Sequence, residues 1–367
     1  MARSRTLART AASMALLACA ACTSPMAGLT SGGSVATAPP GPSSPAPAAS
    51  PTAAPSPTGG AGGLQTTYEQ VIKKVLPSIV QITTSEGLGS GIVYDTDGHI
   101  LTNAHVVQGA EKFSVTLATG GKKRTARLLN VFPAGDLAVI KVDNTQGLRP
   151  ASFGRSGDLK VGQIVLAMGN PLGYSGSVTE GIVSALGRTV SGSSGQGTPT
   201  STIPNAIQTS AAINPGNSGG ALVDMGGRVV GIPSLAAVDP QLGAAAGIGF
   251  AIPSDTATDI ANQIIKNGKV VNSHRAGLGI QAGTAVDALG SPVGVLVGRV
   301  TNGGAAETAG IRPGDVIVKV DDTRTPDTTA LSEALARHQP GDSAKVTLLY
   351  PSGRTSTVTV TLGQLPG

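Results

Sequence analysis

The sequence predicts a mainly β protein, and three observations carry that reading. From Tyr68 to about Asn267, short apolar runs recur between Gly, Asn and Asp turns, the regular spacing of an all-β barrel or sandwich. The 52 glycines and 25 prolines suit a chain with many turns, although part of the proline total belongs to one segment near the start. Aromatic residues are scarce, with four Phe, four Tyr and no Trp, so the cores must rely on Val, Ile, Leu and Ala. At 367 residues and 40% hydrophobic content, the chain is long enough for two domains plus disordered segments.

Residues 1–22 read as a bacterial-type export signal: Arg3, Arg5 and Arg9, then the apolar run Ala11 to Ala21, too short to span a bilayer. Both cysteines, Cys19 and Cys22, lie at its end, so no disulfide can staple the mature folded domains. Leu16-Leu17-Ala18-Cys19 looks like a lipobox, in which the cysteine is diacylated and becomes the new N-terminus. Cys22 fits less well because no aliphatic residue stands at the required position before it. The alternative is ordinary cleavage at Ala18-Cys19-Ala20, which releases a soluble secreted protein. Residues 23–66 are Pro, Ala, Ser, Thr and Gly with almost nothing to bury, and are expected to form a disordered tether. Removing Arg3, Arg5 and Arg9 takes the formal net charge from +5 to +2, which gives no argument for nucleic acid.

Residues 67–268 form the first expected folded unit. Strands are predicted at Ile79 to Thr83, Ile92 to Tyr94, Ile100 to Thr102, Phe113 to Leu117, Leu137 to Val142, Ile164 to Met168 and Val229 to Ile232. Ala257, Ile260, Ala261, Ile264 and Ile265 have helical spacing, and Ser254 stands as an N-cap, so Ser254 to Lys266 reads as one closing helix. Residues 275–367 form the second unit. His99, His274 and His338 are expected as surface or turn residues.

Three segments carry chemistry: Thr102-Asn103-Ala104-His105-Val106-Val107, Asp136-Leu137-Ala138-Val139-Ile140-Lys141-Val142 and Asn214-Pro215-Gly216-Asn217-Ser218-Gly219-Gly220. A hydroxyl is a weak nucleophile at neutral pH; it needs a neutral imidazole to take its proton and a carboxylate to hold that imidazole in the right tautomer. His105, Asp136 and Ser218 supply those groups. Gly216-Asn217-Ser218-Gly219-Gly220 also fits G-x-S-x-G, but a nucleophile elbow runs directly into a helix and precedes its acid and histidine. Here the acid and histidine come first, and two short apolar runs around Met225-Gly226-Gly227 follow, a hairpin signal. No H-E-x-x-H and no G-x-x-x-x-G-K-[ST] occurs, so neither a metal nor ATP-driven unfolding is expected, and no cofactor is called for.

At these residues the chain resembles the HtrA (Deg) family of serine proteases, which have a chymotrypsin-like double β-barrel protease domain followed by one or more PDZ domains. The resemblance includes Gly89-Ser90-Gly91-Ile92-Val93, Gly169-Asn170-Pro171-Leu172-Gly173, Thr179-Glu180-Gly181-Ile182-Val183-Ser184, Gln208-Thr209-Ser210 and Gly249-Phe250-Ala251-Ile252-Pro253. It implies that His105 is the general base, Asp136 its orienting acid and Ser218 the nucleophile, with the N–H groups of Gly216 and Ser218 as oxyanion hole. It also implies a pocket floor at Ala212 and Ile213 and substrate pairing along Ser234-Leu235-Ala236. With no charge at that floor and with Leu235 and Ile248 as an apolar wall, cleavage is expected after small or medium aliphatic residues. Two positions depart from the family: Ser210 stands where an aspartate is usual, and Ala221 where a proline is usual, so the bracing of the loop before Ser218 and basal activity are expected to differ. Pro233 removes a backbone donor, which fits an edge position.

Gly277-Leu278-Gly279-Ile280, Gly294-Val295-Leu296-Val297, Ala305-Ala306-Glu307-Thr308-Ala309-Gly310-Ile311 and the run Arg312 to Val320 resemble a PDZ domain. That implies a peptide carboxylate held on the N–H groups of Leu278, Gly279 and Ile280, with the peptide added as a strand. Leu331 and Leu335, on a helix near Thr328 to Arg337, would form the opposite wall, although family members often carry an aromatic where Gly277 stands. Taken together, these features predict an exported, ATP-independent serine endopeptidase for unfolded or mislocalised proteins, binding peptides with free apolar C-termini. A lipid anchor to a membrane and a homotrimer are expected with it. The alternative is a PDZ-bearing chaperone or scaffold with a silent protease fold.

Overall fold

The computed structural model describes residues 61–85, 87–110, 112–170, 176–192, 201–214, 216–239, 243–350 and 352–367. The expected export signal, Cys19, Cys22 and most of the expected tether lie outside them. Among the described residues no helix is long and apolar enough to cross a membrane.

The first unit is two closed barrels. Strands β1 (Ile79–Thr83), β2 (Leu88–Val93), β3 (His99–Thr102), β4 (Phe113–Leu117), β5 (Arg124–Phe132) and β6 (Leu137–Val142) close in the order β1-β2-β3-β6-β5-β4. Burial on both faces explains why β1 and β6 are largely apolar, broken by Gln81 and Thr83 in the first and Lys141 in the second. Val80, Ile82, Ala138, Ile140 and Val142 fill the barrel. Ile79, Leu137 and Val139 point the other way, into a layer shared with Leu166, Met168, Ala221, Val223, Val229 and Ile252 of the second barrel. That barrel consists of β7 (Ile164–Gly169), β8 (Ser177–Ser191), β9 (Thr202–Thr209), β10 (Ala221–Asp224), β11 (Val229–Asp239) and β12 (Gly243–Pro253), in the order β10-β11-β12-β9-β8-β7. Closure covers the strand edges of both barrels except where β11 runs on past Gly231, beyond its pairing with β10.

Helix α1 (Ala61–Val75) occupies the last residues of the expected tether. Leu64, Tyr68, Val71, Ile72 and Val75 recur at helical spacing. Val71 and Val75 are buried in the shared layer, so apolar burial orders a segment whose composition alone argued against order. Tyr68 Oη donates to Glu180 at 2.8 Å and Lys74 Nζ to the Gly226 carbonyl at 2.7 Å. Helix α2 (Ala104–Val107) is a single turn, and α3 (Ser254–Asn267) packs Ala257, Ile260, Ala261 and Ile264 on the shared layer. Ser254 is not the cap of α3: the helix begins on it, Pro253 is the capping position, and the Ser254 hydroxyl donates to the Gly154 carbonyl at 2.8 Å. His99 is likewise no surface residue. It is 7% exposed on β3, because Asp95 takes its ring Nδ1 at 2.6 Å and its N–H at 3.1 Å.

In the second unit β13 (Ala276–Gly277) pairs with β20 (Gly363–Gln364). The main sheet runs β14 (Ile280–Val286), β15 (Pro292–Val300), β16 (Val316–Val320), β18 (Ser343–Leu349), β19 (Thr355–Thr361), with β17 (Thr323–Arg324) beside β16. Helices α4 (Ala305–Thr308) and α5 (Thr328–Leu335) complete it. Val295, Val297, Ile317, Val346, Leu348 and Val360 join Leu331 and Leu335 in its own core. Strand β14 is an edge, as addition of a peptide strand requires. Of the remaining histidines, His274 is exposed and His338 Nε2 meets Asp321 at 3.0 Å.

Candidate active site

Asp136 is held before it is used. It ends a 3-10 turn, Pro133–Gly135, with its N–H on the Pro133 carbonyl at 3.1 Å and its backbone left-handed at φ 53°. Asn103 Nδ2 donates to its carbonyl at 2.9 Å. The carboxylate is 3% exposed. It accepts the His105 N–H at 3.1 Å on Oδ1 and lies 2.9 Å from His105 Nδ1 through Oδ2, while the Ser234 hydroxyl donates to Oδ2. A carboxylate can only accept, so this contact places the proton on Nδ1 and leaves Nε2 as the basic nitrogen. Partial burial alone pulls the imidazolium down, but the hydrogen bond and charge of Asp136 outweigh it and raise the His105 pKa above its usual 6.5.

The loop carrying Ser218 is fixed from the first barrel. Ser90, fully buried on β2, donates its N–H to the Ser218 carbonyl at 3.0 Å and its hydroxyl to the Gly216 carbonyl, while that hydroxyl accepts the Asn170 N–H at 2.8 Å. Its own carbonyl takes the Thr102 hydroxyl at 2.7 Å, three residues before His105. Asn217, Gly219 and Gly220 give their N–H groups to the carbonyls of Asn214, Pro233 and Asn217. Among the described residues no acceptor takes the N–H of Gly216 or Ser218, the two donors expected to face an oxyanion. Nor does any hydrogen bond join Ser218 to His105; catalytic contacts in unliganded enzymes are often long and tighten with substrate. Ser90 and the Ser234 hydroxyl escaped the sequence reading of the chemistry. A buried serine needs a partner, but the expected strand began only at Ile92, so the sequence offered no sign that Ser90 is buried.

Ala212 is exposed, and its carbonyl receives Thr179 Oγ1 at 2.8 Å and Asn217 Nδ2 at 3.2 Å. Ile213 is 7% exposed and lies against Gly249, where an added Cβ would approach Ile213 Cγ1 to 2.4 Å. Ser210 braces this loop on β8: its N–H donates to the Ile182 carbonyl at 3.2 Å, and its hydroxyl accepts the Ile182 N–H at 3.0 Å. Ser234, Leu235 and Ala236 lie on β11, whose pairing with β10 ends at Gly231, while Leu235 and Ala236 pair with Phe250 and Gly249 of β12. One side of this stretch therefore has no strand partner among the described residues, so Pro233 removes no ladder bond there, and its carbonyl accepts Gly219 N–H. The register shifts between Pro233 and Leu235, a bulge that suits proline.

In the second unit the carbonyls of Leu278 and Gly279 accept from Ala306 and Thr301, both at 2.8 Å, while among the described residues no backbone acceptor takes the N–H of Leu278 or Gly279. Ile280 opens β14, opposite Val300. Among the described residues no three His, Cys, Asp or Glu side chains converge as metal ligands.

Two family models match, a trypsin-like peptidase domain over residues 89–232 and a PDZ domain over residues 268–362. The chain is 44% identical over 319 residues to the serine protease PepD of Mycobacterium tuberculosis, covering 81% of this chain and 66% of the relative. It is 40% identical over 281 residues to the serine protease Do-like HtrA of Lactobacillus helveticus, covering 71% and 65%. The chain thus spans slightly less than two thirds of these relatives. Among solved structures, the HtrA-type protease AlgW with a tripeptide superposes with a TM-score of 0.54 at 35% identity, over 82% of this chain and 98% of that one. Two closed barrels, a following PDZ unit and these likenesses place the chain in the HtrA (Deg) family of serine proteases.

Proposed function

We propose that the protein is an exported, ATP-independent serine endopeptidase that cleaves unfolded or mislocalised polypeptides. In this reading His105 Nε2 takes the Ser218 proton as the hydroxyl attacks the scissile carbonyl. Asp136, steadied by Ser234, stabilises the imidazolium that forms. The N–H groups of Gly216 and Ser218 receive the oxyanion, and His105 then returns the proton to the leaving amine as the C–N bond breaks; water, deprotonated by His105 in turn, cleaves the resulting Ser218 ester and restores the hydroxyl. The observation that carries the reading is the pattern of backbone donors around Ser218: the N–H groups of Asn217, Gly219 and Gly220 are bonded, and among the described residues those of Gly216 and Ser218, the two an oxyanion needs, have no acceptor. The deciding experiment is digestion of an unfolded test protein beside the Ser218→Ala form, with cut sites mapped by mass spectrometry. Cuts after Val, Ala, Ile or Leu are expected because Ala212 and Ile213 bring no acid to pair with a basic side chain. A majority after Lys or Arg would show that another segment forms the pocket.

The PDZ unit is read as the receptor for free C-termini. A peptide ending in an apolar residue should bind with its carboxylate on Leu278, Gly279 and Ile280 and its backbone along the edge of β14. Its C-terminal amide should bind at least about ten-fold more weakly, since charge-assisted hydrogen bonds are lost with the carboxylate. Equal binding of acid and amide in a titration would remove the carboxylate site. The extracytoplasmic location, the lipid on Cys19 (or Cys22), the homotrimer and the limits 67–268 and 275–367 belong to the same reading. They are supported by the leader's pattern and by the family. Intact mass separates a diacylated form from a simply cleaved one, native mass a trimer from a monomer, and limited proteolysis reads the domain limits.

A further inference from the structure

Arg275 opens the second unit and, among the described residues, has no carboxylate partner. Its Nη1 donates to the carbonyl of Ala134 at 2.5 Å, while its Nε is sealed from solvent with no acceptor among those residues. Burial pulls the guanidinium down to about 10. A partly buried cation with no ion-pair partner among the described residues is a poor choice for packing alone, since an apolar side chain of similar volume avoids the desolvation. What the guanidinium adds is a directed hydrogen bond, and its acceptor is informative. Ala134 is the middle residue of the 3-10 turn that delivers Asp136.

Packing holds that turn in part: Ala134 rests on the shared layer, and buried Gly135 presses on the ring of Phe132, where an added Cβ would come within 2.6 Å of a ring carbon. On the other side opens a cavity of about 300 Å³ lined by Phe132, Gly135, Asp255, Asp259, Ile260 and Arg275 among others, so close packing does not complete the hold there. Arg275 reaches the turn on that side. The root of the side chain belongs to the PDZ unit: the Arg275 carbonyl accepts the Leu365 N–H at 2.7 Å, and the Ser273 hydroxyl donates to the Leu365 carbonyl at 2.5 Å. Ala276 then pairs with Gln364. Three residues beyond Arg275 begin the N–H groups of Leu278, Gly279 and Ile280.

We infer that Arg275 is a positioning residue, a strut whose hydrogen bond to the Ala134 carbonyl sets the 3-10 turn and hence the aspect Asp136 presents to His105. The inference rests on the reading of Asp136 as orienting acid.

The test compares the whole protein with Arg275→Met, which keeps the stem and loses the donor, and Arg275→Lys, which keeps a charged donor. Circular dichroism confirms folding, fluorophosphonate labelling of Ser218 is followed against pH, and the downfield proton resonance of His105 Nδ1–H is recorded. In the unchanged protein Asp136 raises the His105 pKa, so the neutral base accumulates only as pH rises through a midpoint above 6.5. Loosening Asp136 lowers that midpoint. Arg275→Met is expected to label about ten-fold more slowly even at its plateau, with the midpoint lowered and the resonance broadened, and Arg275→Lys to recover part of each. A folded Arg275→Met with unchanged plateau, midpoint and resonance overturns the strut. So does equal slowing in both variants with an unmoved midpoint, because lost packing would then explain it. If Arg275→Met does not fold, Arg275→Gln is judged by the same midpoint and resonance. Asp136→Asn, run alongside, keeps the two ideas apart: labelling indifferent to Asp136→Asn removes the underlying triad reading, whereas crippled Asp136→Asn beside unaffected Arg275→Met removes the strut alone.

Discussion

Asp136→Asn is expected to lower turnover of an unfolded protein by about ten-thousand-fold while leaving the fold in place, and Ser218→Ala by about a million-fold. The first substitution is informative because nothing else about the position changes. Asn is nearly isosteric with Asp and is among the few residues that tolerate the left-handed backbone found here at φ 53°. Both carboxylate oxygens are occupied, Oδ1 by the His105 N–H and ring, Oδ2 by the ring and the Ser234 hydroxyl. An amide has one acceptor and one donor, so it cannot serve both sides. If its NH2 faces His105, the ring must accept there and carry its proton on Nε2, the nitrogen that has to be empty to activate Ser218. If its oxygen faces His105, the ring keeps the right tautomer, but the NH2 meets the Ser234 hydroxyl, and no negative charge remains to stabilise the imidazolium. Either way the base is crippled without a cavity or a backbone change. Steady-state turnover with the thermal midpoint as control decides it; turnover within about ten-fold of the unchanged protein, in a folded variant, would assign the orienting role to another group.

The fold and the proposed triad differ in how legible they were. Strands β1, β4 and β6 have the bounds expected from their apolar runs, because barrel filling on one face and the shared layer on the other give β1 and β6 apolar residues pointing both ways. Strands β5, β8, β9 and β12 carried no such signal. Arg124 to Phe132 exposes polar and apolar residues alike, and Gly243 to Pro253 is rich in Gly and Ala, weak strand formers. Their pairing is imposed by neighbours on both sides of a closing barrel. Helix α1 was hidden for a related reason: its helical spacing follows directly on a Pro/Ala/Ser-rich stretch, and only the contact of Val71 and Val75 with the barrels gives that spacing a target. His105, Asp136 and Ser218 stood out because each sits in a flank with a resemblance to known sites. Ser90, Ser234 and Arg275 did not, since hydroxyls and an arginine in a chain are ordinary until burial shows that each lacks water and must have a protein partner.

Gly219→Ala should be severely damaging, with labelling of Ser218 slowed by about a hundred-fold or more. Two separate penalties meet at this residue. Its φ is +79°, where a Cβ costs about 1–2 kcal/mol in any surroundings. The added Cβ would also lie 2.2 Å from the Ser90 carbonyl oxygen and 2.4 Å from Thr102 Oγ1. Neither can step aside freely: the Ser90 carbonyl belongs to β2, and its bond from Thr102 Oγ1 is 2.7 Å long. What must give is the pair of bonds that hold the loop, Ser90 N–H to the Ser218 carbonyl and Gly219 N–H to the Pro233 carbonyl, both 3.0 Å. Relaxing them carries Ser218 away from β2 and from the end of β3 that leads into His105, so the hydroxyl and the base separate. Gly303→Ala supplies the control for the first penalty: its φ is +70° and nothing lies within 4 Å of the added carbon. It should therefore cost only the backbone term, about 1–2 kcal/mol in a denaturant titration, and label at the normal rate. The difference between the two variants isolates the collision between the nucleophile loop and β2, and equal behaviour of the two would mean that this contact does not set the position of Ser218.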